Sequence, residues 1–335
     1  MLHSIRLLAI GVLAIWLSGC VSSVLSVDTK ATQPIPAALL AEMSQKSMSP
    51  SSPILIRIFK QESELEIWKQ DRSGRYALLK TYPMCRWSGK LGPKTREGDR
   101  QAPEGFYHVT ANMLNPTSQF HLSFDLGYPN RLESALGYTG DALMVHGACT
   151  SSGCYALTDD GVSEIYAVAR EALKGRQQAF QVQAFPFRMT PQNMAKHRTD
   201  PNFSFWTDLK RGYDSFEVAR RQPKISYCGQ RYIIDTDFAG GEPTNPLAAC
   251  PPAVSQPNPA IASRTQSDMQ KIDNLASSGA ALTAHFYVDG GMHPVFRDIL
   301  RKSGEDALAR RTSSLSAVPV SRPSAGLADP HTPGN

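Results

Sequence analysis

The sequence predicts a mostly-β domain with one or two helices packed beside it, and three observations carry that prediction. Apolar runs of strand length recur between Ile54 and Phe124, most of them alternating with period two. Turn-forming Gly, Pro and Asp residues separate the runs. A clear helical period begins only after residue 158. No segment repeats, and residues 54–220 suffice for one domain with a real core.

In chain order, Ile54, Ile56 and Ile58 alternate with Leu55, Arg57 and Phe59, a first strand. Leu65 and Ile67, then Tyr76 and Leu78, flank the Asp71-Arg-Ser-Gly74 turn as a hairpin would. Phe106 to Thr110 follows a turn shaped by Pro103 and Gly105, and Phe120 to Phe124 alternates again. His108 and His121 fall on these strands and read as sheet-surface or core-edge residues. Ala142 to Val145 suits a short buried strand. Thr158 or Asp159 can then cap a helix, with Asp160 and Glu164 in the first turn, where the dipole favours acids. Val162, Ile165, Ala169 and Leu173 form its apolar stripe, and Gly175 ends it. Phe180, Val182 and Ala184 give another strand, and a second helix is expected near Phe205 to Arg220.

The two ends differ from this centre. Residues 1–19 have a basic start and an apolar run of signal-peptide length. Leu17-Ser18-Gly19-Cys20 resembles the lipobox of bacterial lipoproteins, which implies lipidation at Cys20. Val21 after it, by resemblance to sorted lipoproteins, favours a periplasmic protein anchored to the outer membrane. Residues 20–53 then form a lipidated N-terminus and tether, with one amphipathic stretch around Ala37 to Met43. Residues 221–309 are a C-terminal extension without an assigned role, and 310–335 have the composition of a disordered tail. A net charge of +5, with no Lys/Arg run, argues against nucleic acid as a partner.

The chain has six cysteines. With Cys20 assigned to lipid, five remain, and an exported compartment permits disulfides. Cys228 and Cys250 flank a Gly/Pro-containing loop and are the best pair. The odd cysteine left over is a candidate reactive thiol, and Cys154 is the choice.

Chemistry concentrates between Leu143 and Tyr155. His146 ends an apolar strand, and Cys154 lies eight positions later (154 − 146), shortly before the helix start. A cysteine needs a base or a helix N-terminus to become a thiolate near neutral pH. The pair suggests a cysteine nucleophile with a histidine base; the alternative is a strand-capping histidine and a buried structural cysteine. Cys149 remains open as a second thiol, a disulfide partner for Cys85, or packing. The spacing of His146, Cys149 and Cys154 argues against zinc, and no cofactor is implied.

His146-Gly147 followed by Ser151-Ser152-Gly153-Cys154 resembles the YkuD-type L,D-transpeptidase domain, whose signature is a histidine, a spacer, then Ser/Thr-His-Gly-Cys-x-Arg. Ser152 stands where that family usually has histidine, and Ala156 where it usually has arginine. These departures match the YafK-like subgroup, as do Gly92-Pro-Lys94, the run Glu97 to Tyr107, Asn115-Pro116, Phe120 to Asn130 and Phe185 to Met189. The resemblance implies a β-sandwich domain acting on peptidoglycan stem peptides. It implies that Cys154 forms a thioester, that His146 moves the proton and that the Gly147 carbonyl orients the imidazole. The amides of Gly153 and Cys154 are candidates for the oxyanion, and Tyr128, Ser152 and Tyr155 for substrate contacts. The subgroup is associated with cutting bonds between peptidoglycan and a covalently attached envelope protein. The alternatives are a 3-3 cross-linking L,D-transpeptidase and a non-catalytic peptidoglycan-binding lipoprotein.

Overall fold

The computed structural model describes residues 29–256, 258–278, 286–287, 289–310 and 331–332. The expected signal sequence, Cys20 and nearly all of the expected C-terminal tail lie outside the described residues.

Helix α1 (Ala37–Gln45) precedes strands β1 (Ile54–Phe59), β2 (Glu64–Gln70), β3 (Tyr76–Pro83), β4 (Arg86–Trp87), β5 (Gly105–Thr110), β6 (Leu114–Asn115) and β7 (Ser123–Asp125). Helix α2 (Arg131–Ala135), β8 (Met144–His146), β9 (Tyr155–Ala156), α3 (Asp159–Lys174) and β10 (Ala179–Phe185) follow. After them come α4 (Pro191–Lys196), α5 (Phe203–Ala219), the pair β11 (Ile225–Cys228) and β12 (Arg231–Ile234), α6 (Pro259–Ser277), β13 (Phe286–Tyr287), α7 (Pro294–Ala309) and β14 (His331–Thr332).

Two five-stranded mixed sheets organise the centre, in orders β3-β2-β1-β10-β5 and β4-β9-β8-β7-β6. The first holds the long alternating strands. Ile54, Ile56 and Ile58 turn to one face, where they share a core with Phe124, Val145 and Tyr155 of the second sheet and Ile165, Val168 and Ala172 of α3. Phe59 and Phe185 turn to the other face and pack with Trp206, Leu209 and Tyr213 of α5. Both faces of β1 are therefore covered, and all six of its residues are buried. Arg57 survives there because Glu217 pairs with it at 2.6 Å and the Tyr213 ring lies 4.4 Å from its guanidinium.

Three sequence expectations change. The Phe120–Phe124 run is a strand only from Ser123, and His121 has a left-handed backbone (φ 70°) in the turn before it, off the sheet. The tether expected over 20–53 is partly core: Ile35, Leu39, Met43 and Met48 are buried against the first sheet, since the apolar face of α1 needs a surface to cover. The extension is also built in. Lys210 of α5 is buried between Asp214 (2.9 Å) and Asp268 of α6 (2.7 Å), and Arg264 reaches Asp214 at 3.1 Å, which balances the charges.

Candidate functional site

β8 and β9 run parallel, with Val145 opposite Tyr155 and His146 opposite Ala156. Extending that register back by one residue sets Cys154 beside Met144, whose amide donates to Cys154 Sγ at 3.4 Å. In that register His146 and Cys154 are diagonal neighbours, about 7 Å apart at the backbone, with Cys154 Sγ turned toward the Met144 amide and the Ala142 carbonyl.

His146 is 2% exposed. Its ring lies 4.5 Å from Phe120, and Nδ1 is 2.6 Å from the Gly147 carbonyl. A carbonyl can only accept, so Nδ1 carries the proton and Nε2 keeps its lone pair. Burial pushes the imidazole down to about 4, against the pull of the Gly147 carbonyl and Asp159. Burial likewise pushes the half-buried Cys154 thiol up to about 11, against the Met144 amide. The resting pair is thus a neutral thiol and a neutral imidazole at pH 7. A thiolate stabilised by the α3 dipole is not what forms. The helix begins at Asp159, and its Gly161 amide is taken by the Thr158 hydroxyl at 3.1 Å.

Asp159, visible in the sequence only as a possible cap, has a larger part. Its Oδ1 accepts from the Ala148 amide at 2.9 Å. That N–H and the Gly147 carbonyl belong to one peptide unit. The unit therefore donates to a carboxylate at one end and accepts from His146 at the other. A carboxylate polarises such a peptide and strengthens its carbonyl as an acceptor. Gly147 permits the approach: a Cβ there would meet Asp159 Oδ1 at 2.7 Å and the Phe120 carbonyl at 3.0 Å. His121 completes the surroundings, with Nδ1 3.6 Å from Asp159 and Nε2 2.8 Å from Ser163 Oγ. Asp159→Asn keeps an acceptor for Ala148 but removes the charge. It is expected to slow alkylation of Cys154 by iodoacetamide at pH 7 by about tenfold, a fraction of a full general-base effect. An unchanged rate constant in a stopped-time alkylation assay rules out this tuning.

Cys149 is not a second thiol. It is disulfide-bonded to Cys85, 64 positions away, and Cys228 is bonded to Cys250. Cys154 is the free cysteine among the described residues. A disulfide sulfur is no thiolate ligand, so His146, Cys149 and Cys154 do not make a zinc trio. Among the described residues no group of three or more His, Cys, Asp or Glu side chains is placed to hold a metal.

Three of the groups expected at the substrate or the oxyanion have partners within the protein. Tyr155 is fully buried and its hydroxyl donates to the Pro103 carbonyl. Tyr128 is 5% exposed, with its hydroxyl on the Lys94 carbonyl at 3.2 Å. Both phenols are drawn inward because a buried hydroxyl needs a partner. The Gly153 amide donates to Ser151 Oγ at 3.3 Å inside its own turn. Ser152, by contrast, is exposed, and Arg100 Nη1 reaches its hydroxyl at 3.3 Å. Nothing in the spacing of Arg100 and Ser152, 52 positions apart, could have announced that meeting.

The loop that delivers Arg100 is rigid. Glu104 is buried against Lys60 at 2.9 Å and also accepts from Trp206 Nε1 and the Gly92 amide. Asp99 receives Lys94 at 2.6 Å and the amides of Thr95, Arg96 and Gln101.

Comparison with known proteins identifies the family. The family model of YkuD, the L,D-transpeptidase catalytic domain, matches residues 54–177. The chain is 41% identical over 224 residues to YafK of Escherichia coli (strain K12), whose name places it among the L,D-transpeptidases; the match covers 67% of this chain and 88% of YafK. Among solved structures it is similar to the helical cell shape determining protein Pgp2 of Campylobacter jejuni (K307A mutant), with 18% identity, a TM-score of 0.34, and coverage of 57% of this chain and 78% of that one. Bd1075 of Bdellovibrio bacteriovorus gives 16% identity and a TM-score of 0.30, covering 52% and 76%. The family-model match and the extent of identity to YafK establish that this chain belongs to the L,D-transpeptidase family with the YkuD catalytic domain.

Proposed function

We propose that the protein is a cell-wall enzyme that acts on peptidoglycan stem peptides through a thioester on Cys154. It breaks diaminopimelate-linked bonds between peptidoglycan and an attached envelope protein, with cleavage outweighing cross-link formation. One observation carries the reading: Cys154 Sγ sits against Met144, the first residue of the three-residue strand that ends at His146, whose Nδ1 is locked on the Gly147 carbonyl.

The steps follow from that arrangement. Sγ attacks the acyl carbon of the diaminopimelate residue while its proton passes to His146 Nε2. The amide of Cys154 faces the developing oxyanion. The leaving amine takes the proton from Nε2, and the thioester remains. Water then attacks, gives its proton to Nε2, and releases the acid and the thiol. Cross-linking needs an amine in place of that water. Ala156, buried where the wider family usually carries arginine, offers such an acceptor no anchor, so water competes better.

Purified sacculi carrying a covalently bound envelope protein test the proposal. Release of that protein without new 3-3 cross-linked muropeptides is expected; accumulation of cross-links with nothing released overturns the hydrolytic preference. We place the enzyme in the periplasm, on the outer membrane through Cys20. Mass spectrometry of the mature N-terminus should find a diacylglyceryl cysteine, and an unmodified start elsewhere removes the anchor.

A further inference from the structure

We propose that Arg86, Arg100 and the Gly89 amide form a receptor for a substrate carboxylate beside the Cys154 turn, and that Asp289 of the C-terminal extension occupies it until substrate arrives. The inference rests on the reading of Cys154 as the nucleophile.

Three groups converge on Asp289. Arg100 Nη2 lies 3.0 Å and Arg86 Nη2 3.4 Å from Oδ2, and the Gly89 amide donates to Oδ1 at 3.4 Å. Arg86 is 1% exposed, so its charge is costly to bury unless an anion is present. Asp289 and Arg100 are each about one-fifth exposed, so a solvent-borne carboxylate can reach the same donors.

The site adjoins the candidate nucleophile. Arg100 also holds Ser152, two residues before Cys154, and the Gln101 carbonyl lies 3.7 Å from where a Gly153 Cβ would stand. Arg100 adopts a left-handed backbone (φ 58°), strain that persists only where the surroundings impose it. Its carbonyl is held by Ser88 Oγ at 2.7 Å.

Asp289 is delivered by backbone pairing. The Gly291 amide and carbonyl exchange hydrogen bonds with Trp87 at 3.0 and 3.1 Å, and the His293 amide donates to Met84 at 3.0 Å. The segment therefore lies along the edge of β4 as an added strand. Gly290 has φ 84°, and a Cβ there would overlap the Trp87 carbonyl, so the approach requires glycine. Met292 and Phe296 then cover the Cys85–Cys149 disulfide. Such a strap fixes the Asp289 backbone in place, while its carboxylate is held by ion pairs and hydrogen bonds of the kind a substrate carboxylate could take over.

The ligand class follows from the chemistry of the proposed substrate. Diaminopimelate has a carboxyl group at each end; when one is the acyl donor, the other is free to remain an anion at the far end of the same residue. Two guanidinium groups and an amide suit it.

Alkylation of Cys154 in the full-length protein separates this proposal from the peptidoglycan reading. Iodoacetate carries a carboxylate and iodoacetamide does not, though both lose iodide to the same sulfur. Asp289→Ala is expected to raise the iodoacetate-to-iodoacetamide rate ratio by about tenfold, the effect of one regained charge-assisted contact. Asp289→Asn should move it in the same direction, and adding Arg100→Ala to either should return it to the wild-type value. The same ratio in all these proteins overturns the proposal. So does a change shared by both reagents, which reports a displaced turn in place of an anion site. A shifted ratio with no activity on sacculi leaves the receptor standing and removes only its proposed substrate.

Discussion

Cys154→Ala reduces release of peptidoglycan-bound protein to background, and His146→Ala lowers it by about three orders of magnitude, the middle of the range for a positioned general base. Both expectations rest on the neutral resting pair. With the thiol pushed up to about 11 and the imidazole down to about 4, neither group ionises alone near neutrality. The thiol reacts only as its proton moves to Nε2. Alkylation by iodoacetamide should therefore be nearly flat across neutral pH in the wild type. It should fall as pH drops through about 4, where protonated His146 cannot accept, and rise as pH approaches 11, where the thiol ionises unaided. Without His146 only the thiolate fraction reacts, so the rate should climb about tenfold per pH unit through the neutral range. The same profile in wild type and His146→Ala shows that the imidazole is not the base.

Removing the Cys85–Cys149 disulfide has the next largest effect, on stability. It closes 64 positions, for which chain entropy alone gives roughly 4 kcal/mol. It also holds a strained turn: Ala148 and Cys149 follow the His146-Gly147 pair with φ of 67° and 47°, both left-handed without being glycine. The paired replacement Cys85→Ser and Cys149→Ser is expected to lower the thermal midpoint by roughly 10 °C in calorimetry. It should also relax the peptide that connects Asp159 to His146, so Cys154 alkylation slows at pH 7. A midpoint within about 2 °C of wild type, less than one kcal/mol is worth, contradicts a structural disulfide. Cys149→Ala alone leaves a buried Cys85 thiol and carries the same loss of stability.

The parts of the fold legible in the sequence share one property: their pattern is local and long. β1, the β2–β3 hairpin and β10 span six to eight residues each, enough for alternation to register. Helix α3 declares both ends through Thr158 and Gly175, and α5 has a run of 17 residues. The second sheet was harder to see, because β4, β6 and β9 have two residues each and no readable period. Its edge partner from the extension is a stretch of glycines, which carry no side-chain signal at all.

The same division runs through the candidate site. Sequence alone determined that a histidine, a cysteine and the glycines between them occur within one short stretch at a strand end, because neighbours in a turn are neighbours in space. It could not say which way Tyr128 and Tyr155 turn, since a phenol goes wherever a buried acceptor waits. Nor could it join Cys85 to Cys149, bring Arg100 to Ser152 or set Asp289 on two arginines, across separations of 64, 52 and about 200 positions. Those meetings depend on how sheets and straps pack, and packing is decided by the sum of many weak contacts over the whole chain, which no local spacing encodes.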